Sequence, residues 1–193
     1  MDVPKFTRKG ERPEEMYEDP KVYFENLKPT TGMKNVQRKL TRELLSLMEI
    51  KGEKFIDLGC GYGFSSEVLK ELGYEVVGID LSEKMVEYTR KRGVFAVQGD
   101  FCELKRYFGE GEFDNGISIS SLQWISKDAK KLEKFAEGAS YIINYALGIH
   151  FYPKDDRELR SVLGVMKKYF ERVELYIIAR GTKKERIYIL NYR

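Results

Sequence analysis

The run Asp57-Leu58-Gly59-Cys60-Gly61-Tyr62-Gly63 sets an acid ahead of three alternate glycines. Glycines so spaced let a backbone turn sharply and approach a bound molecule where a Cβ would clash. The acid narrows the choice of ligand. A dinucleotide pyrophosphate seeks amide donors and the positive end of a helix, and gains nothing from a carboxylate. A ligand bearing a cationic amine and a sulfonium is favoured by one. The G-x-G-x-G spacing also departs from the dinucleotide pattern G-x-G-x-x-G. Asp80 ends the next apolar run, 17 positions after Gly63, where a carboxylate accepts from both hydroxyls of a ribose. Asp100 closes the run after that. An acid there accepts from an adenine amino group while Leu81 and Phe101 flank the ring. Taken singly, a glycine turn is a tight connection and a strand-end Asp a helix cap. Three carboxylates at the ends of three successive strands point to one nucleoside ligand. With the acid at position 57, the ligand expected is S-adenosylmethionine.

What is scarce is equally informative. The chain has one histidine, His150, and two cysteines, Cys60 and Cys102, with no Cys-x-x-Cys pair. No His/Cys metal site and no disulfide framework are expected, and little material exists for Ser–His or Cys–His nucleophilic chemistry.

The elements that must position these residues follow from periodicity. The 193 residues suit one globular domain, and 42% apolar with 13% aromatic residues exceeds what a disordered chain carries. No apolar run approaches the roughly 18–20 residues of a membrane helix, and a cytoplasmic protein is expected. A net charge of +3 is too mild for a freestanding nucleic-acid binder. Residues 1–32 lack a sustained period and read as an N-terminal arm or lid, ahead of a domain over 33–193. Val36, Leu40, Leu44, Leu47 and Met48 predict a helix over Met33–Met48. Strands are expected at Phe55–Leu58, Glu75–Asp80, Val94–Val97 and Phe113–Ser120, with helices from Phe64 to Leu72 and after a Ser82 cap. Leu132, Phe135, Ala136, Ala139, Ile142, Ile143 and Ala146 step by three and four, which predicts a helix over 128–145 and a fifth strand over Gly148–Tyr152. A helix through Leu159 to Phe170 precedes two strands, 172–179 and 185–191, joined across Gly181-Thr182. Such alternation predicts an α/β fold: a Rossmann-like seven-stranded sheet, mostly parallel, with an antiparallel C-terminal hairpin and helices on both faces. The ligand crevice belongs at the carboxyl ends of its strands.

Asp57 to Gly63, Asp80 and Gly99-Asp100 resemble the cofactor motifs of class I S-adenosylmethionine-dependent methyltransferases over about residues 34–193. The resemblance implies that Asp57, Gly59, Gly61 and Gly63 line the methionine end, with Ser118 beside them. Asp80 then holds the ribose, and Leu81, Asp100 and Phe101 meet the adenine. The fourth strand runs into Ile117-Ser118-Ile119-Ser120-Ser121-Leu122-Gln123-Trp124. This stretch resembles a narrower family, the guanine-N7 methyltransferases of small-subunit ribosomal RNA. Arg12-Pro13-Glu14-Glu15-Met16-Tyr17, Met33 to Gln37, Phe151-Tyr152-Pro153 and Thr182-Lys183-Lys184 agree with it in order. His150 departs from the family, where a Gln is expected.

That resemblance implies methyl transfer to guanine N7, with Gln123 bonding a base edge and Trp124, the single tryptophan, stacking on a flipped base. RNA contact is expected at Arg8, Lys9, Arg12, Lys183, Lys184 and Arg186. His150 is expected to be structural. The third strand, with its run Val94-Phe95-Ala96-Val97, is expected at the sheet edge. The family implies a small zinc-binding activator protein docked beside it, together with a ribosomal RNA or preribosomal small-subunit substrate. Two alternatives stand beside this reading: methyl transfer to a small metabolite, and a non-catalytic assembly factor that binds the cofactor for stability.

Overall fold

The structure is a computed structural model that describes residues 29–178 and 185–193. The arm up to residue 28, and the Gly181-Thr182 turn with Lys183 and Lys184, lie outside the described residues. The first helix among the described residues, α1 (Thr31–Leu47), starts slightly ahead of the expected Met33 because Thr30 Oγ1 accepts the Met33 amide at 3.2 Å. It buries Leu40, Leu44 and Leu45. Then follow β1 (Lys54–Leu58), α2 (Phe64–Glu71), β2 (Glu75–Asp80), α3 (Glu83–Lys91) and β3 (Phe95–Gln98). After a 3-10 turn (Phe101–Arg106) come β4 (Phe113–Ile119), a second 3-10 turn (Leu122–Trp124), α4 (Ala129–Ile142), β5 (Ile143–Phe151), α5 (Asp156–Tyr169), β6 (Arg172–Ile178) and β7 (Arg186–Tyr192).

The strands form one seven-stranded sheet in the order β3-β2-β1-β4-β5-β7-β6. Pairing is parallel from β3 through β5 and antiparallel for β5–β7 and β6–β7, as the α/β alternation predicts. Ile56, Leu58, Leu147 and Ile149 pack on one face against Leu132, Phe135 and Ala139 of α4 and Val162 and Met166 of α5. Phe55, Ile117, Ile119 and Leu190 pack on the other against α1 and α2. Each fully buried side chain of this size contributes about 1.5–3 kcal/mol. The two-sided covering holds the strand tips fixed.

Two local expectations are corrected. The helix predicted to 145 stops at Ile142, and Ile143 to Ala146 belong to β5. Phe113 pairs with Ile143, Ala146 pairs with Tyr192, and the Gly111 amide donates to the Tyr141 carbonyl at 2.9 Å. Ile143 and Ala146, buried in the strand, also fall on the three- and four-residue steps of the helix, so the apolar positions continued the helical pattern. Ser82 occupies the N-cap position of α3 but its side chain caps nothing; its amide instead donates to Asp80 Oδ1 at 3.0 Å.

Candidate functional site

The glycine turn leaves β1 and is fastened to β2. The amides of Gly59 and Cys60 donate to the Ile79 carbonyl at 2.9 and 3.0 Å, and the Gly61 amide donates to Asp80 Oδ2 at 2.9 Å. Gly59 and Gly61 hold φ of +78° and +53°, left-handed values that favour glycine. A Cβ on Gly59 would strike Ser121 Oγ at 2.5 Å and lie 3.7 Å from Phe101, so this turn draws the β1, β3 and β4 ends together. A Cβ on Gly61 would meet nothing within 4 Å, which marks open space over the turn. Gly63 serves a different purpose. A Cβ there would press within 2.9 Å of the Thr89 backbone, so its absence lets α2 and α3 pack.

Asp57 is fully buried, and its Oδ2 accepts the hydroxyls of Ser65 and Ser66 on α2, each at 2.6 Å. Burial, assisted by the nearby Asp80 charge, lifts its carboxyl to about 6 against the opposing serine bonds. Oδ1 has no partner. A carboxylate in this state gains a great deal from a cation placed beside it. Burial also raises Asp80, while the amides of Ser82 and Gly61 each spend one of its oxygens and leave a second lone pair on both. Asp100 lies two residues beyond β3 and caps the 3-10 turn through Oδ1, which accepts the Cys102 amide at 2.8 Å. Phe101 stands edge-on to Phe135 at 5.3 Å, and Leu81 is exposed. The expected nucleoside set is thus gathered at one end of the sheet.

The β4 tip is held to the same turn by Ser121, whose hydroxyl donates to the Gly59 carbonyl at 3.0 Å. Gln123 Nε2 donates to the Ser120 carbonyl at 2.6 Å, and its Oε1 is buried without a partner. Trp124 is half-buried against the main core. Ser118 is fully buried with an unpartnered hydroxyl. Of the seven buried side-chain polar atoms without partners among the described residues, four belong to Asp57, Ser118, Gln123 and His150. Buried polar groups are normally paired, so this concentration at the carboxyl ends of β1, β4 and β5 is what a polar ligand site leaves open.

Other expectations change. Arg186 is not the free surface cation expected: its guanidinium grips Glu43 through Nε–Oε2 at 2.5 Å and Nη2–Oε1 at 2.8 Å, and it is 12% exposed. His150 is buried and neutral, with burial pushing it down to about 3. Both cysteines are buried, and burial raises their thiols, Cys102 to about 12. Neither supplies a nucleophile. Among the described residues no group of three His, Cys, Asp or Glu could hold a metal ion, and no helix is long and apolar enough to cross a membrane. The pair Ser120–His150 went unread in the sequence, because no local signal joins positions 30 apart.

Residues 56–141, from β1 to the end of α4, match the family described as "Methyltransferase domain". Those residues, somewhat under half of the chain, are what the methyltransferase-domain match covers. The chain is similar to the 18S rRNA (guanine-N(7))-methyltransferase of Bos taurus, 33% identical over 179 residues, covering 86% of this chain and 60% of that protein. It is also similar to 18S rRNA (guanine-N(7))-methyltransferase bud23 of Schizosaccharomyces pombe, 26% identical, covering 77% and 62%. The chain spans 50–62% of the length of the first such relatives. Among solved structures, the PH0226 protein from Pyrococcus horikoshii OT3 shares the fold with a TM-score of 0.68 at 20% identity, covering 89% of this chain and 98% of that one. A mostly parallel, seven-stranded sheet with a C-terminal antiparallel hairpin is therefore the fold the chain shares with that structure.

Proposed function

We propose that this protein is a cytoplasmic enzyme that methylates guanine N7 in small-subunit ribosomal RNA, using S-adenosylmethionine. The similarity to 18S rRNA guanine-N7 methyltransferases, which runs over 86% of the chain in one relative, carries this reading. The residues at the strand tips fit the cofactor. Asp57, with its unpartnered Oδ1, holds the amino-acid end over the Gly59–Gly61 turn, and Ser118 supplies a second polar atom nearby. Asp80 takes the ribose hydroxyls with its remaining lone pairs, and Leu81, Asp100 and Phe101 take the adenine. When bound, the cofactor supplies an electrophilic methyl on a sulfonium that leaves as a neutral thioether.

The residue inventory suits this acceptor. Guanine N7 presents a neutral lone pair with no proton to lose, so no general base is required. His150 is buried and neutral, and both thiols are protonated at neutral pH. What remains for the protein is alignment and water exclusion. Trp124 offers the stacking face, and Gln123 Oε1 an acceptor to a base edge. Phe95, 66% exposed on edge strand β3, is the anchor proposed for a small zinc-binding activator. Arg90, which donates to the Ala96 carbonyl at 2.7 and 3.1 Å, lines the same edge. Replacing Phe95 with Lys is expected to abolish co-purification with that partner.

The deciding experiment is transfer of tritiated methyl to purified small ribosomal subunits, followed by cleavage specific for 7-methylguanosine. Label in RNA at a single guanine is expected. Label in protein or in a solvent-soluble metabolite overturns the reading.

A further inference from the structure

Among the described residues, Ser120 is the only non-glycine in the left-handed region, with φ of +55°. Such strain persists only where the surroundings impose it. Three contacts do so. The Ser120 amide donates to the His150 carbonyl at 2.8 Å, its carbonyl accepts from Gln123, and its Oγ lies 3.1 Å from His150 Nδ1. Ser120 directly follows β4 and precedes Ser121, which bonds to the cofactor turn. It therefore stands at the corner where acceptor and cofactor meet.

The protonation of His150 decides what that hydroxyl can do. The ring is fully buried, 4.7 Å from the Tyr152 ring and 5.2 Å from the Tyr188 ring, and its Nε2 has no partner. Glu43 and Arg186, the charged groups that act on it from α1 and β7, are bonded to each other. A neutral imidazole carries one N–H. Placed on Nε2, that N–H would be a buried donor without an acceptor; placed on Nδ1, it is spent on Ser120 Oγ and only an acceptor lone pair goes unmet. Orphaned buried N–H groups are the rarer defect, so Nδ1–H is the assigned tautomer. The Ser120 hydroxyl then accepts from His150 and keeps its own proton to give away.

We propose that Ser120, oriented by His150, donates its hydroxyl to O6 of the acceptor guanine and thereby selects guanine over adenine beside the reacting N7. This rests on the guanine-N7 reading and adds its selectivity. Guanine presents two acceptors on this edge, N7 and O6, whereas adenine presents a donor at N6, which the serine could meet only with its one remaining lone pair, leaving its proton without an acceptor. Ser120 is a specificity residue in contact with substrate. His150 is a positioning residue. As N7 is alkylated the ring gains positive charge and O6 becomes a poorer acceptor, so loss of the contact falls on KM more than on kcat.

The test first maps the methylated guanine in small-subunit RNA with the wild-type chain. The same RNA is then made with 2-aminopurine, which keeps N7 and lacks O6, at that position. Wild type is expected to lose about five- to tenfold in kcat/KM on the altered RNA, the scale of one neutral hydrogen bond. Ser120→Ala is expected to show that loss on the guanine RNA and none further on the 2-aminopurine RNA. His150→Leu should behave like Ser120→Ala, while His150→Gln, whose amide can still donate, should restore most of the rate. Ser120→Gly, free of the backbone strain, repeats the deletion should Ser120→Ala melt early. Losses that multiply rather than merge overturn the O6 contact. Unchanged discrimination in His150→Leu overturns the positioning role. A wild-type chain that makes no 7-methylguanosine fails the parent reading before any variant is compared, and the proposal falls with it.

Discussion

Asp57 is the most exacting place to test the site, because its buried charge should weaken the fold and strengthen cofactor binding. Burial raises its carboxyl from 3.8 to about 6, which corresponds to about 3 kcal/mol against the ionised form. The native state therefore holds this proton more tightly than the unfolded chain. Stability from this group is greatest when it is protonated and is lost as pH rises through about 4 to about 6. Asp57→Asn has no charge to bury. Its stability relative to wild type should grow by about 2 kcal/mol between about pH 4.5 and about pH 7.5, or about 4–8 °C in Tm for a chain of this size. Glu43 and Glu67, where burial is outweighed by bonds to their partners so that the carboxyls are lowered, act in the opposite sense but cancel in the difference. Urea unfolding across this range measures it. Calorimetry with S-adenosylmethionine should show the converse: Asp57→Asn binds far more weakly, and wild-type affinity falls about tenfold at pH 5, where protonation competes with the cationic amine. A variant that gains no stability at high pH, or binds as wild type does, refutes the assignment.

The glycine turn separates packing from ligand space. Gly59→Ala adds a Cβ 2.5 Å from Ser121 Oγ at a φ of +78°, so both Tm and cofactor affinity should fall. Gly61→Ala meets no protein atom within 4 Å, so calorimetry should show weakened binding with only about 1–2 kcal/mol of stability lost to its left-handed backbone. Glu43→Ala strips the partner from Arg186, 12% exposed, and from the Tyr188 hydroxyl; a loss of about 3 kcal/mol in urea unfolding is expected. Trp124→Ala should leave cofactor binding intact and lower RNA methylation by about tenfold or more, the scale of one base–aromatic stack. Unchanged methylation would remove Trp124 from the acceptor site.

The residues expected to face the cofactor could be singled out because their pattern is local. Asp57 and its glycines occupy consecutive positions between a strand and a helix, and Asp80 and Asp100 follow at or just beyond strand ends, so residue type and order carried their meaning. The start of β5 was not legible. Ile143 and Ala146 satisfy a helical period and a strand alike, and only the pairing of Ile143 with Phe113 separates the two. Arg186 looked like an RNA-binding cation until Glu43, 143 positions away, took its Nε and Nη2 donors. His150 read as a structural residue, yet its tautomer and its hold on Ser120 depend on rings and strands brought in from elsewhere. By itself, then, the amino-acid order determined the strand–helix alternation and the kind of ligand its turns can grip, since both depend on neighbours along the chain. Which polar groups are paired, which are left open, and where protons reside was decided by the tertiary structure, because burial and long-range contact set the energy of every charge.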